Sequence, residues 1–500
     1  MNLAAVIEQH PADRPALVDD GHVTSYGELR RLVGELRGGM AARGVGPGDR
    51  VALVAANSAE LVATYLAALG VGALAVPLDP AAPARMVAHE VDVVGARLVV
   101  VGPGGREAAA ALGDGPADDG PAPQVASVED LLGGVEPEPV ERQPSDPAVL
   151  LFTSGTAGAP RPAVLTHGNL LANVEQILAA APAAAPDDVA LGAQPLFHVF
   201  GLNALLGVVL HTGGSVVLVD RFEPRAVLDL VVDRGVTVVT GAPAMWAALA
   251  EVAAGDEMAN VRVALSGAAP LDPVVHRAVT DRLGVDLRQG YGLTEAAPVV
   301  TSALGTDAPA DSIGRPLPGV EVRLVDADGR DVLVGDPGEI WVRGPNVFPG
   351  YWDDPEATGA ALTGDGWLRT GDVAVVDDDG FLYLVDRIKD VVIVSGFNVF
   401  PAEVEAVLAA HPDVVEAAVV GEPDARTGEA LHAFVVPAAA GGVGAGAVSP
   451  AAIDTDALLA HCREHLPRYK LPAAIEVVDA IPHGVAGKLL RRELRHGKAR

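Results

Sequence analysis

The sequence predicts an α/β protein with doubly wound sheets in a large N-terminal domain, a small β-barrel, and a small mobile C-terminal α+β domain. Apolar runs of strand length alternate with helical patterns over about the first 300 residues, which favours parallel sheets covered by helices. From Gly319 onward the pattern changes to alternating polar and apolar residues, as in antiparallel hairpins. The length of 500 residues exceeds what one hydrophobic core serves, so several domains are expected.

The alternation starts with a capped amphipathic helix. Ser25 and Glu28 have the spacing of a capping box, and Leu32, Leu36 and Met40 continue at helical intervals. Apolar runs then predict buried strands on both sides of a helix at Ala59–Gly70. These runs lie at 51–55, 73–77, 98–101, 148–153, 216–219, 236–240 and 261–266.

The remaining segments predict the domain boundaries. Residues 102–146 are rich in Ala, Gly, Pro and Asp, which indicates surface structure and linker. Hairpins are predicted at 320–325 and 338–343, within a β-rich subdomain of about 313–386. We expect an N-terminal domain at 1–386 and a mobile C-terminal domain at 387–500, with a flexible surface loop at 437–450.

Composition and charge exclude several function classes. The net charge of −31 argues against nucleic acid or an anionic membrane as the main partner, because both attract basic surfaces. No apolar run has membrane-spanning length, and the N-terminus lacks the pattern of a signal peptide. The single cysteine, Cys462, fits a reducing compartment, so we expect a cytoplasmic protein. We also expect a monomer or homodimer.

A loop rich in hydroxyl groups and glycine follows the predicted strand at 148–153. Glycines let backbone amides approach phosphate oxygens, and hydroxyls add further donors. Alone, such a segment is more often an ordinary Ser/Thr/Gly turn. The chain has no Walker-type phosphate loop, and zinc-protease and nucleophile-elbow motifs are absent too. The candidate phosphate ligands are Thr153, Ser154, Gly155, Thr156 and Gly158, and the family resemblance described next adds Arg161.

Taken with six further segments in the same order, this loop resembles the phosphate loop of the adenylate-forming superfamily, in its acyl-CoA synthetase branch. The other matching segments are 195–201, 266–271, 291–295, 366–372, 387–390 and 395–398, followed by a lysine in the loop at 484–488. Each segment has an ordinary structural alternative, such as a core histidine or a turn-capping aspartate. The resemblance rests on their joint order along nearly the whole chain.

The resemblance implies a set of nucleotide-binding residues. Gly267, Ala268 and Ala269 would lie beside adenine, Gly290, Tyr291 and Gly292 would hold the base, and Asp372 with Arg387 would contact the ribose. Thr294 would contact phosphate, Glu295 would hold Mg²⁺, His198 would gate the carboxylate pocket, and Lys488 would be the adenylation lysine.

The resemblance also implies a reaction in two steps. A carboxylate would attack the α-phosphorus of ATP to give an acyl-adenylate and pyrophosphate, and the thiol of coenzyme A would then displace AMP. A hinge at Lys389 would withdraw Lys488 and bring in Gly396, Phe397 and Asn398, which would line the tunnel for CoA.

The acid is less defined by the sequence. Phe200, Met245 and Trp246 are the candidate acyl-pocket residues, although such side chains more often serve packing. No lysine or arginine lies in these stretches, which weighs against a dicarboxylic acid. We therefore expect a medium- or long-chain fatty acid, with an aryl acid as the second choice.

Two other functions remain open. One is an acyl-AMP ligase or stand-alone adenylation enzyme that loads a carrier protein. The other is a catalytically impaired nucleotide-binding paralogue, because Ala157, Arg161 and Pro162 stand where the family has Thr, Lys and Gly. Loss of a donor or two to phosphate costs on the order of 1–4 kcal/mol of transition-state stabilisation, so we expect a slower but active enzyme.

Overall fold

The computed structural model describes residues 2–112, 122–135, 138–153, 160–181, 183–387, 392–394, 397–424, 428–438, 453–466, 470–483 and 489–494. The chain divides into two compact units. The first comprises Met1–Val322 with Trp341–Arg369, and the second comprises Arg323–Ile340 with Thr370–Arg500. The domain boundary between 386 and 387 stays a prediction.

The helical elements include one π-helix, at Phe200–Gly207, and short 3₁₀ turns at Leu3–Ile7, Glu129–Leu131 and Thr294–Ala296. In the described residues the α-helices are α1 (Tyr26–Ala42), α2 (Ala59–Gly70), α3 (Ala84–Val94), α4 (His167–Ala180), α5 (Val208–Thr212), α6 (Pro224–Asp233), α7 (Pro243–Val252), α8 (Pro273–Leu283), α9 (Pro355–Ala361), α10 (Pro401–Ala409), α11 (Thr455–His465) and α12 (Arg491–Leu494).

The strands are short, as is usual in α/β proteins. Across the described part of the chain they are β1 (Pro15–Asp19), β2 (His22–Ser25), β3 (Arg50–Val54), β4 (Leu74–Leu78), β5 (Leu98–Val101), β6 (Gln124–Ser127), β7 (Pro147–Thr153), β8 (Arg161–Thr166), β9 (Val189–Gly192), β10 (Ser215–Leu218), β11 (Val238–Gly241), β12 (Val263–Ser266), β13 (Leu287–Gly292), β14 (Val299–Ser302), β15 (Arg315–Pro316), β16 (Glu321–Val325), β17 (Gly338–Arg343), β18 (Gly350–Tyr351), β19 (Leu368–Val376), β20 (Leu382–Arg387), β21 (Val392–Val394), β22 (Phe397–Val399), β23 (Val414–Asp424), β24 (Gly428–Pro437) and β25 (Ala474–Val477).

Two large sheets dominate the first unit. In the described residues, one has nine strands in the order β15-β14-β13-β12-β11-β9-β10-β1-β2, and the other has seven in the order β18-β8-β7-β4-β3-β5-β6. Parallel pairs such as β11 with β12 and β3 with β4 form their centres. The doubly wound α/β fold predicted from the alternation is confirmed.

The second half of the chain carries two smaller sheets. The β-rich region contains, among its described residues, a sheet in the order β16-β17-β19-β20, and the division between the units passes through it. Among its described residues, the C-terminal part has a five-stranded sheet in the order β22-β21-β24-β23, with β25 also paired to β24. Val404 and Leu458 pack helices α10 and α11 onto this sheet.

The local signals explain where the first elements start. Ser25 and Glu28 form the predicted capping box, with the Ser25 hydroxyl accepting from the Glu28 amide at 3.2 Å. The predicted helix at Ala59–Gly70 and strand at Leu98–Val101 have these bounds in the structure. In contrast, 102–146 is not all linker, because β6 pairs in parallel with β5. This four-residue strand has no apolar run by which sequence reasoning could find it.

Each face of the nine-stranded sheet has its own packing. Val239 and Ala264 point toward α7 and α8, where they pack with Trp246 and Leu249 in a buried cluster. Their neighbours Val238 and Val263 face the other way, because side chains alternate along a strand. Among the described residues no helix is both long and apolar enough to cross a membrane.

Candidate active site

The predicted motifs lie where neighbouring parallel strands end. Strands β13, β12, β11 and β9 are consecutive in the nine-stranded sheet, and their pairings are parallel. β9 precedes the loop that carries His198, β12 precedes Gly267–Ala269, and β13 runs into Thr294 and Glu295. Because parallel strands place their carboxyl ends at one edge, the fold brings these three segments together at the usual ligand-binding edge of an α/β sheet.

One glycine at this edge is required by packing, and a second is closely packed. A Cβ on Gly292 would lie 2.0 Å from the carbonyl oxygen of Pro298, so no side chain fits there. A Cβ on Gly267 would lie 3.2 Å from the ring of Phe200. The next residue, Ala268, has φ +68°, a left-handed conformation that costs a non-glycine residue roughly 1–2 kcal/mol. Backbone strain of this kind is concentrated at functional sites.

The loop that carries His198 is anchored by a buried asparagine. Asn57, just beyond β3, donates to the carbonyls of Gly192 and Gln194 at 3.1 and 2.8 Å and accepts from the Leu196 amide at 2.9 Å. His198 Nδ1 accepts from the Phe200 amide at 3.2 Å, which places the proton of the neutral ring on Nε2. The loop therefore presents a defined tautomer of a half-buried histidine.

Three buried asparagines hold the turn that carries Thr294 and Glu295. Asn346 donates to the Ala296 carbonyl (2.8 Å), Asn203 donates to the Ala297 carbonyl (2.7 Å), and Asn173 both donates to and accepts from Val299 (2.7 and 3.0 Å). Buried amides with satisfied hydrogen bonds fix backbone geometry, because breaking one leaves a polar group without water. The turn is thus a rigid platform for the two side chains.

Glu295 has a hydrogen-bond donor that sequence reasoning missed. The Tyr351 hydroxyl donates to Glu295 Oε1 at 2.7 Å. Burial first, and then the Glu295 carboxylate, raise the pKa of Tyr351 well above its usual value, so the hydroxyl remains a donor at physiological pH. Tyr351 lies on β18, which pairs antiparallel with β8, and the Phe348 amide donates to the Glu295 carbonyl at 2.8 Å. A single short strand thus connects the strand after the phosphate loop to the Glu295 turn.

The strand after the phosphate loop shows what two of the departures from the family pattern do. Thr153 and Arg161 lie opposite each other at the ends of β7 and β8. Arg161 Nε is 3.1 Å from Asp354 Oδ2, so its charge has a protein partner. The Pro162 carbonyl accepts from the Trp352 amide, and because N and O of a strand residue point to the same side, the missing amide does not interrupt the ladder to β7.

The two predicted ribose-contacting residues lie in the second unit. Asp372 on β19 and Arg387 on β20 are directly opposite each other in the antiparallel register. Asp372 is buried, with 6% of its surface exposed, and its amide donates to the Thr370 hydroxyl at 3.1 Å. Their ribose contact stays a prediction.

An apolar cavity lies against the face of β11 and β12 that is opposite to α7 and α8. Its volume is about 40 Å³, and none of the described side chains that line it is charged. The lining residues include Ala180, Ala184 and Ala204, Leu205 and Val208 from the π-helix region, Val238 and Thr240 from β11, Val263 and Leu265 from β12, and Val299, Ser302 and Leu317. The strand that follows the Glu295 turn borders it, since Val299 lines the cavity and pairs with Gly292.

The three predicted acyl-pocket residues do not line this cavity. Met245 and Trp246 belong to the core cluster on the other face of the sheet, where the Trp246 indole donates to the Leu265 carbonyl at 3.2 Å. Phe200 packs over Gly267 at the strand ends. Trp246 therefore serves packing, since it is fully buried in the core.

Several predicted residues lie outside the described residues. They are Ser154, Gly155, Thr156 and Gly158 of the phosphate loop, the hinge residue Lys389, Gly396, and the adenylation lysine Lys488. The loop predicted at 437–450 is described only at Pro437 and Ala438. Phe397 and Asn398 form part of β22, but their side chains lie outside what the structure describes.

Comparison with known proteins decides the family. The model of the AMP-binding enzyme family matches residues 3–352, and that of the AMP-binding enzyme C-terminal domain matches residues 403–488. The chain belongs to the adenylate-forming superfamily, in its acyl-CoA ligase branch. Its class is that of an AMP-forming acyl-CoA synthetase.

Individual relatives of this adenylate-forming enzyme span its whole length. It is 39% identical to a feruloyl-CoA synthase of Amycolatopsis sp, over 95% of this chain and 94% of the relative. It is 34% identical to a long-chain-fatty-acid–CoA ligase of Yersinia pestis, over 97% and 92%. The crystal structure of ATP-bound MatB from Rhodopseudomonas palustris has a TM-score of 0.90 at 31% identity, over 99% and 98%.

The carboxylate chemistry of this synthetase fits a divalent cation. Within the described part of the chain, the hydrogen bond recorded for the Glu295 carboxylate is on Oε1, which leaves Oε2 available as a ligand. No cluster of three or more His, Cys, Asp or Glu side chains suited to a metal occurs among the described residues. One carboxylate combined with substrate phosphates is how Mg²⁺ is commonly held, so Glu295 suits it.

Proposed function

We propose that this protein joins a carboxylic acid to coenzyme A through an acyl-adenylate, with release of pyrophosphate and then AMP. The observation that carries the proposal is the rigid Thr294–Ala296 turn at the strand ends, with the apolar cavity beside it. The turn offers a hydroxyl and a carboxylate for the phosphates, and the cavity offers an apolar volume for the acyl group. The family match supports the same assignment.

The chain's residues act by positioning and by offsetting charge. In nucleotidyl transfer the protein performs little covalent chemistry, so catalysis depends on held donors and cations. We assign Thr294 and the hydroxyls of the phosphate loop to the phosphate oxygens, and Lys488 to the charge that develops on the leaving pyrophosphate. Glu295 would hold Mg²⁺, which when bound neutralises phosphate charge. His198 would border the acid's carboxylate.

The cavity favours a compact acyl group. A volume of about 40 Å³ accommodates about three waters, since one water needs roughly 10–15 Å³. So small a space favours a short acyl body over an extended fatty chain. We therefore place an aryl acid first and a medium- or long-chain fatty acid second, the reverse of the order that the sequence favoured. The feruloyl-CoA synthase relative agrees with this order.

The cavity also supports the prediction against dicarboxylic acids. A second carboxylate would enter a space with no charged lining side chain. Burial of an ionised group without a partner costs far more than a hydrogen bond returns, so such an acid would bind poorly. A succinate-type competitor is accordingly expected to leave turnover of the preferred acid unchanged at equal concentration.

An acid panel tests the proposal. Purified protein with ATP, Mg²⁺ and CoA would be given hydroxycinnamates, benzoates, octanoate, palmitate and succinate, while AMP, pyrophosphate and thioester are measured separately. The expected result is AMP and thioester in equal amounts, highest for an aryl acid. Pyrophosphate release without thioester would favour a carrier-protein acceptor, and ATP binding without turnover of any acid would favour the impaired paralogue.

A further inference from the structure

One polar side chain in the acyl cavity has no internal partner. Thr240 is 4% exposed, and its Oγ1 is buried without a hydrogen bond among the described residues. The residue lines the cavity. A buried hydroxyl without a partner is unfavourable in a folded protein, and valine has nearly the same shape without that defect. The Thr240 hydroxyl thus forms no stabilising hydrogen bond among the described residues of the fold.

The register of the sheet directs this hydroxyl into the cavity. On β11, Val238 and Thr240 line the cavity, whereas Val239 between them packs in the core on the opposite face. On β12, Val263 and Leu265 line the cavity in the same way, and Leu265 is the parallel partner of Thr240. Successive side chains alternate between the faces of a sheet, so Thr240 points to the acyl side.

The other hydroxyl in the lining is already engaged. Ser302 Oγ accepts from the Leu304 amide at 3.1 Å. The rest of the lining side chains are alanine, valine, leucine and isoleucine. Because Thr240 Oγ1 has no partner among the described residues, it is the first candidate to give an otherwise apolar cavity a preference for one polar atom. A hydroxyl both donates and accepts, so it suits a phenol, a methoxy oxygen or an aniline nitrogen.

We infer that Thr240 is a specificity-determining residue that recognises a hydrogen-bonding substituent on the apolar body of the acid. The inference rests on the proposed function and narrows its substrate class to ring-substituted aryl acids, such as hydroxylated or methoxylated ones. Sites that bond a substrate hydroxyl discriminate against the analogue that lacks it, because the protein's polar group is then left unpaired. A purely apolar acid would leave the Thr240 hydroxyl in that state.

The experiment compares acids that differ by one hydroxyl. The values of kcat/KM for 4-hydroxycinnamate and cinnamate, and for 4-hydroxybenzoate and benzoate, are measured for the wild type, Thr240→Val, Thr240→Ser and Ser302→Ala. The wild type is expected to prefer the hydroxylated member of its better pair by about tenfold or more, and Thr240→Val to lose that preference. Thr240→Ser should retain most of it, and Ser302→Ala should change both acids equally.

A stability measurement adds a readout that does not depend on turnover. If the hydroxyl has no partner in the free protein, Thr240→Val should unfold at the same temperature as the wild type or higher. A lower midpoint would show that the hydroxyl is bonded internally and would overturn the inference. So would a wild type without preference within the pairs, or a valine variant that keeps the preference. Absence of turnover with every acid of the panel would instead contradict the proposed function.

Discussion

The hydrogen bond from Tyr351 to Glu295 gives a sharp test of how the site is built. Tyr351→Phe removes one oxygen and keeps the ring, which packs edge-on against Phe348 with centroids 5.0 Å apart. The lost bond is 2.7 Å long and joins a largely buried hydroxyl to a carboxylate. Hydrogen bonds to charged groups contribute about 1.5–3 kcal/mol, and about half of that would reach the transition state if the bond mainly orients the carboxylate.

We therefore expect kcat/KM for ATP to fall about tenfold, which corresponds to about 1.4 kcal/mol. The half-saturating Mg²⁺ concentration should rise as well, because a freely rotating Glu295 is a poorer ligand. Pyrophosphate release is measured over a magnesium titration at saturating acid.

The chain offers a matched control for this variant. The Tyr383 hydroxyl donates to Asp377 Oδ2 at 2.8 Å within the second unit, whereas the Glu295 turn belongs to the first. Tyr383→Phe removes a bond of the same type and should leave the magnesium dependence unchanged. If Tyr351→Phe also keeps wild-type magnesium dependence and kcat/KM, or if both variants lose activity equally, Tyr351 does not position Glu295.

Three further predictions concern the adenylation step and two buried titratable groups. Lys488→Ala should lose ATP-dependent pyrophosphate release but still convert supplied acyl-adenylate to thioester, and equal loss of both steps would contradict its assignment. Burial, followed by the Asp79 charge, raises the pKa of Glu90 from 4.5 to about 7. Between pH 4.5 and 7 the folded state therefore binds more protons than the unfolded state, and the protein loses about 3 kcal/mol of stability as pH rises through this range. Urea unfolding of Glu90→Gln should show a gain of up to that amount above pH 7 and none near pH 4.5; a gain independent of pH would exclude titration as its cause. Burial, with a smaller contribution from Arg142, lowers the pKa of His167 from 6.5 to about 4. Between pH 6.5 and 4 the unfolded state therefore binds more protons than the folded state, and the protein loses about 3 kcal/mol of stability as pH falls through this range. His167→Gln should remove this loss in the same urea series, and an unchanged slope would show that another group titrates.

The sequence predicted the elements whose signals are local. The capping box of Ser25 and Glu28, the helix at Ala59–Gly70 and the parallel strands depend on spacing within a few residues. The strand ends then determine where the loops meet, so the convergence of the 291–295 segment with Gly267 follows from topology alone. This is why the family motifs and the fold class could be predicted together.

The supporting residues could not be predicted, because their partners are distant in the chain. Asn57 binds a loop residue 139 positions away, and Tyr351 binds Glu295 from 56 positions away. Neither residue stands in a segment with an unusual composition. An asparagine after a strand is ordinarily a turn residue, and a tyrosine before a tryptophan is ordinarily packing.

The apolar cavity that we propose for the acyl group shows the same limit. Met245 and Trp246 are close in sequence to the strand end at Gly241, but α7 places Trp246 in the core on the opposite face of the sheet. Thr240, one residue before Gly241, faces the cavity instead. Which face a strand residue takes depends on the pairing register, and a shift of one residue reverses it. Phe200, Met245 and Trp246 therefore stay a prediction for the acyl pocket, and none of the three lines this cavity.

The most direct test of the central claim follows an oxygen atom through the reaction. The preferred acid is labelled with ¹⁸O in its carboxylate and incubated with the wild-type protein, ATP, Mg²⁺ and CoA. The mass of the nucleotide product is then measured by mass spectrometry. If the carboxylate attacks the α-phosphorus and the thiol then cleaves the bond between the acyl carbon and that oxygen, AMP gains one ¹⁸O per turnover. Unlabelled AMP, or label in inorganic phosphate beside ADP, would contradict an acyl-adenylate intermediate.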